Sequence, residues 1–317
     1  MTTAESFRVE GLVAAAAGDA WAVASATLFA VAAAAVPRVG RLLAGTTLTA
    51  PLAWAAAVLL LLAAVEAVGG GRPPGSSPGL VRYAAAMGIF SPLVAVLGAK
   101  RPQDRVWQAT VATLWVVLLL PGLHAAAARS APQLSGPWGV FAAGLCLMTI
   151  LCYGATRLRL WAALAACGQL LLISPYLSEG AAAHAAQTAC GASLLFCLAA
   201  WGAAGTACRL FRGATDAPSG AAELSRRWDR FGALWGSFWA VRLATRLNQT
   251  AELQHWPVRV GLRGFVSLEA DGGSPTEESL EQLTAAQRGQ VAAALEALLR
   301  RFEAPAPPLA DREGPAA

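Results

Sequence analysis

The feature that most constrains this chain is the length of its charge-free stretches. Residues 42–65, 106–128, 130–156 and 180–208 contain no Asp, Glu, Lys or Arg and are rich in Ala, Leu and Val. An α-helix rises about 1.5 Å per residue and the hydrocarbon core of a bilayer is about 30 Å thick, so about 20 such residues cross it. Water offers no comparable solution. The 317 residues are 56% apolar and 14% charged, with a mean hydropathy of +0.51, whereas soluble domains carry about 25% charged residues. The expected fold class is therefore an all-α polytopic membrane bundle of about seven transmembrane helices, with a small α+β C-terminal tail.

Seven spans are predicted, at residues 13–36, 48–68, 83–99, 106–128, 138–156, 160–177 and 181–208. Each has to be helical, because hydrocarbon supplies no partner to a free backbone amide. Gly18 and Asp19 interrupt the first, and the third is short. Pro51, Pro92, Pro121 and Pro175 fall within spans two, three, four and six and predict bends there.

Direction follows from the arginines, since basic residues in short loops are held on the cytoplasmic side. With the N-terminus outside, Arg38, Arg41, Lys100, Arg101, Arg105, Arg157, Arg159, Arg209 and Arg212 lie inside, against Arg8, Arg72, Arg82 and Arg129 outside. This topology predicts an integral protein of a bacterial inner membrane, with residues 1–212 as the transmembrane domain and residues 213–303 as a cytoplasmic domain. Residues 304–317 are rich in Pro, Ala and charge, a composition that predicts disorder.

Periodicity divides the cytoplasmic part into helix, hairpin and helix. Leu224, Trp228, Phe231, Trp235, Phe238 and Trp239 recur at spacings of three and four, giving one aromatic stripe. The stripe suits two roles: a helix lying in the membrane interface, where Trp228, Phe231, Trp235 and Trp239 contact lipid or a partner, or a small core against the second helix. After Pro257, the alternation of Val258, Val260 and Leu262 with polar residues predicts a strand, which Phe265–Leu268 joins as a hairpin around Arg263-Gly264. Thr284 and Gln287 have capping-box spacing before a helix faced by Val291, Leu295, Leu298 and Phe302.

Motifs of chemistry are lacking. The sequence contains no GxSxG, HExxH or GxxxxGK[ST], and its six cysteines form no CxxC pair. The net charge of +5 belongs to loops beside apolar spans, which excludes nucleic acid as the expected partner. Two candidate sites remain. Lys100, Arg101 and Arg105 crowd one inner loop, suited to acidic lipid heads or a partner's carboxylates. Near the outer ends of the spans stand Asp19, Glu66, His124, Glu179 and His184. Ionisable groups at membrane depth suggest function, and His124 with His184 would ligate haem or share a proton path if their helices adjoin.

The function expected is non-enzymatic: an anchoring, scaffold or assembly component with a partner-binding cytoplasmic tail, its partners being the bilayer and a membrane or cytoplasmic protein. The alternative is a transporter or cofactor-handling membrane protein built on the kinked spans and the paired histidines.

Overall fold

The computed structural model describes residues 3–69, 77–100, 103–178, 184–212, 220–268 and 278–303. The first part holds α1 (Thr3–Leu42), α2 (Thr49–Gly69), α3 (Ser77–Gly88), α4 (Ser91–Leu97), α5 (Asp104–Ala127), α6 (Pro137–Tyr153), α7 (Arg159–Ile173) and α8 (Ala185–Arg212), with a 3-10 turn at Ser174–Tyr176 after α7. Among the described residues five apolar stretches are long enough to cross a bilayer: Ala17–Leu42, Thr49–Gly69, Gly79–Leu97, Val106–Ala127 and Ala185–Phe211. These helices fit an integral membrane protein.

The expected count of seven is not met by length. Helix α6 has 17 residues and α7 has 15. Their ends are chemically set: Pro137 opens α6 where its missing N–H costs nothing, and Ser174-Pro175 tightens the end of α7 into the 3-10 turn. The prolines also behave less uniformly than expected. Pro51 sits in the first turn of α2, a position that demands no bend. Pro92 starts α4 after the chain turns at Ile89-Phe90, so the third span is two short helices rather than one bent helix. Of the four, Pro121 alone lies deep inside a helix, α5.

Helix α1 packs along α2 and α8, α8 along α7, α7 against α6, and the α3–α4 pair between α2 and α5. Small residues make the α1–α8 contact close: Ala22, Ser25, Ala32 and Ala35 on one helix and Ala189, Ala192, Ser193 and Ala199 on the other are buried. Where lipid is as apolar as leucine, such closeness supplies the dispersion that holds helices together. Larger side chains fill the centre, including Phe29, Leu62, Tyr83, Met87, Phe90, Leu118, Ile173 and Tyr176. Val23, Leu60, Val116, Leu147, Leu151 and Leu194 point outward and are exposed, as a hydrocarbon surround requires.

The tail contains α9 (Ala221–Leu253), β1 (Val258–Gly261), β2 (Gly264–Ser267), α10 (Glu278–Glu281), α11 (Ala285–Leu299) and a 3-10 turn at Arg300–Phe302. The strands pair antiparallel from Val258↔Ser267 to Gly261↔Gly264, which leaves Leu262-Arg263 as a two-residue loop. Asn248 holds the hairpin to α9: its Nδ2 donates to Val260 O at 3.0 Å and its Oδ1 accepts from Val260 N at 2.7 Å. The capping box forms, with Gln287 N donating to Thr284 Oγ1 at 3.2 Å and Thr284 N to Gln287 Oε1 at 3.0 Å. The tail does not pack alone. Its apolar core runs without interruption into Leu43, Leu48, Val96 and Ala99, at the ends of α1, α2 and α4.

Candidate functional site

The junction between tail and bundle is tied at Thr47, in the short connector between α1 and α2. Thr47 Oγ1 donates to Ala99 O at 2.8 Å and stands 3.2 Å from Phe302 O, while Thr47 N donates to the same Phe302 carbonyl at 2.9 Å. Thr46 and Glu303 add an antiparallel bridge. Three remote parts of the chain therefore meet at one buried residue, and each polar atom there has a partner, as burial requires.

Phe302 is the apolar centre of this junction. Its ring meets Phe231, Trp235 and Trp239 edge-on at centroid distances of 4.9, 5.7 and 5.2 Å. The indole N–H groups are satisfied: Trp228 donates to Gly261 O at 2.9 Å, Trp235 to Thr47 Oγ1 at 3.4 Å and Trp239 to Val96 O at 3.0 Å. Trp228, Phe231, Trp235 and Trp239 are 0, 3, 7 and 4% exposed. Trp228, Phe231, Trp235 and Trp239 are thus taken up by the chain's own core, against the closing segment and the ends of the bundle, while Phe238 is half-buried under Arg242.

One glycine permits this. Gly236 has φ 79° and ψ 174°, a region that side chains other than hydrogen rarely enter, and it breaks α9 between Trp235 and Trp239. A Cβ here would lie 2.6 Å from Cys152 O, at the end of α6. On either side Tyr153 Oη donates to Leu234 O at 3.3 Å and Arg157 Nη2 pairs with Asp229 Oδ2 at 2.5 Å, so α6 is docked directly on the tail. The sequence signal was the Gly within WGSFW, which the periodic stripe concealed.

Two basic cavities open at the junction. One, of about 700 Å³, is lined by Lys100, Arg242, Arg246 and Arg301 with Trp239, Leu298 and Phe302 at its walls. Burial, then Arg301, Arg242 and Arg246, hold the Lys100 ammonium below its ordinary pKa. The other, of about 800 Å³, presents Arg157, Arg159, Arg209 and Arg263, with Asp229 among them. Lys100 therefore belongs to a charged site, whereas Arg101 and the side chain of Arg105 lie outside the described residues.

At the opposite end the expected ionisable group does not assemble. Glu66, 1% exposed, forms a two-pronged pair with Arg82, at 2.7 Å from Nε and 2.8 Å from Nη2. Arg82 Nη2 also donates to Ala185 O at 3.3 Å, linking α3 to α8. Tyr83 donates to Leu118 O at 2.8 Å and stacks edge-on against Tyr176 at 5.0 Å. The histidines stand apart from this pair. His124 is exposed and lines a cavity of about 440 Å³ with Ser130, Gln133, Ser135 and Trp138, and His184 is not among its lining residues. His184 is exposed at the start of α8, which packs on α1 and α7, whereas α5 packs on α3 and α4. Asp19 is exposed, Glu179 lies outside the described residues, and no group of three or more metal-ligating side chains occurs among the described residues. The reading of His124 and His184 as a shared haem or proton site gains no support from this arrangement.

A cavity of about 310 Å³ lies within the bundle, between α2, α4, α6, α7 and α8. Its wall is apolar, with Tyr153, Trp161 and Phe196 among aliphatic side chains; Thr149 Oγ1 donates to Gln169 Oε1 at 3.0 Å within it, and Trp161 Nε1 donates to Thr206 Oγ1 at 3.0 Å beside it. Compared with protein-family models, with curated proteins and with solved structures, the chain matches none.

Proposed function

We propose that the protein is a non-enzymatic component of a bacterial inner membrane, in which a seven-crossing bundle carries a rigid cytoplasmic platform for assembly with a partner. The observation that carries this reading is the junction at Thr47 and Phe302, which fuses the tail to the bundle through one continuous core. A tethered recruiting arm needs no such seam; a platform that presents its surface at a fixed height does.

The count of seven rests on where α6 and α7 begin and end. Tyr153, at the end of α6, touches the tail, while Leu134, just before α6, donates from its N to Tyr176 O beside Tyr83. The α6–α7 hairpin thus runs between the same two ends as the longer helices. Its 17-residue first arm reaches about 25 Å, close enough to the hydrocarbon thickness for local thinning to accommodate it. Because hairpins add crossings in pairs, the tail faces the same side whether or not this one spans. The excess of arginine at the junction supports the cytoplasm as that side.

The cleft between the helices favours a scaffold over a transporter, because its lining is almost entirely apolar and Thr149 and Gln169, two of its few polar side chains, are bonded to each other. The test uses the full chain, tagged and crosslinked in native membranes, beside Phe302→Ala, which loosens the platform without altering the spans. A defined protein captured by the native chain and lost from the variant is the expected result. Capture of nothing, or of the same protein by both, overturns the reading, as does cleavage of the tail by protease added to intact cells.

A further inference from the structure

The cavity lined by Lys100, Arg242, Arg246 and Arg301 has an imbalance that the fold does not explain. Its four cations come from three separate segments: the end of α4, the second half of α9 and the final 3-10 turn. The ion pairs among the described residues use Arg82, Arg157, Arg226, Arg227, Arg259 and Arg300, and none uses these four. Arg242 and Arg246 stand four apart on one helix, where like charges repel. Lys100, already partly desolvated, faces the three guanidinium groups.

A topology anchor requires positive charge only near the end of a span. It does not require arginines 142 and 201 residues further along to converge on the same lysine (Lys100 to Arg242, and Lys100 to Arg301). Nor is the arrangement loose. Arg242 is held over the rings of Phe238 at 4.3 Å and Trp239 at 5.5 Å, and Lys100 over Trp239 at 5.6 Å. Aromatic faces keep a cation in place without neutralising it, leaving its N–H donors free to meet an anion.

We infer that Lys100, Arg242, Arg246 and Arg301 form a phosphate-binding site, filled by the headgroup phosphate of an anionic lipid or by free phosphate. Lys100 lies three residues beyond Leu97, the last residue of an apolar stretch, so the cavity sits at headgroup level. Val241, 48% exposed, and Leu298 give it an apolar margin where acyl chains begin. This placement rests on the reading of the bundle as membrane-spanning, but it requires no protein partner.

The test reconstitutes full-length protein in nanodiscs of phosphatidylcholine alone, of phosphatidylcholine with cardiolipin, and of phosphatidylcholine with inorganic phosphate at matched ionic strength. Thermal midpoint and, by native mass spectrometry, retained lipid are read for the native chain and for Arg242→Gln/Arg246→Gln. A rise with cardiolipin assigns the site to a headgroup, and a rise with phosphate alone assigns it to the free ion. In either case each arginine removed weakens binding about tenfold, the scale of one charge-assisted hydrogen bond. No response of the native chain to either source overturns the proposal, and so does an undiminished response of the variant. Should the double variant not fold, the exposed Arg301→Gln carries the same comparison. Partner capture is unaffected by failure here, so the platform reading stands or falls separately.

Discussion

The two ends of the bundle treat charge in opposite ways. At the end away from the tail, Glu66 and Arg82 are sealed together by two hydrogen bonds, and Arg82 spends a further one on Ala185. At the tail end, Lys100, Arg242, Arg246 and Arg301 surround a cavity with no carboxylate among the described residues of its wall. The first arrangement is closed and neutral, so its effect is to lock α2, α3 and α8 together. The second is open, and its cations make no ion pair among the described residues, which is what the proposed phosphate site builds on. A formal charge near a membrane is thus informative only once its partner is known.

This contrast can be broken most sharply at the sealed end. Glu66→Gln leaves the half-buried Arg82 without its counter-charge, and a loss of about 2–4 kcal/mol, below the figure for a fully buried pair, is expected from denaturation in detergent. If the loss is absent, the pair is not a lock. A smaller effect, about 1–3 kcal/mol from backbone strain alone, is expected of Gly236→Ala, with the closeness of Cys152 O adding to it. Its signature is a tail that becomes protease-sensitive while the bundle stays intact. Thr47→Val removes a buried hydroxyl that serves Ala99 and Trp235, with an expected loss of about 1–2 kcal/mol in the same assay.

The smallest effect has the opposite sign. Burial and three neighbouring guanidinium groups lower the Lys100 pKa, so folding favours its neutral form and the unfolded chain holds more protons. Stability without an anion therefore rises with pH, from the lowered folded value up to the ordinary 10.5. Lys100→Met flattens that rise in thermal melts and raises the midpoint at neutral pH in phosphate-free phosphatidylcholine, while weakening the response to phosphate. A variant that keeps the full alkaline slope shows that Lys100 is not the group responsible.

Elements set by local rules were legible in the residues. The Thr284–Gln287 cap formed where its spacing put it, and the hairpin formed one residue off, with Leu262 in the loop and Gly264 in β2, because each depends on a few neighbours. Long apolar stretches likewise became helices, though α6 stopped early at Tyr153, before Gly154, and α7 stopped early at Ile173, before Ser174-Pro175, limits that hydropathy averages away. Features built from distant segments were not legible. From the residues alone Arg82 reads only as a loop charge, since the topology rule tallies arginines and does not pair them. The stripe at Trp228, Phe231, Trp235 and Trp239 reads alike for an interfacial helix and a buried one, and only the arrival of Phe302 decides between them. His124 and His184 looked related because both fall at outer span ends, but that resemblance contains nothing about which helices are neighbours.

The hydrogen bond between Thr47 and Phe302 spans 255 positions along the chain. During synthesis the connector holding Thr47 emerges long before its counterpart, so the seam closes only once the chain has been made through Phe302. Until then the tryptophans of α9 have no Phe302 to cover them. A chain that stops short of that residue leaves the rings of Phe231, Trp235 and Trp239 without the side chain that packs against all three.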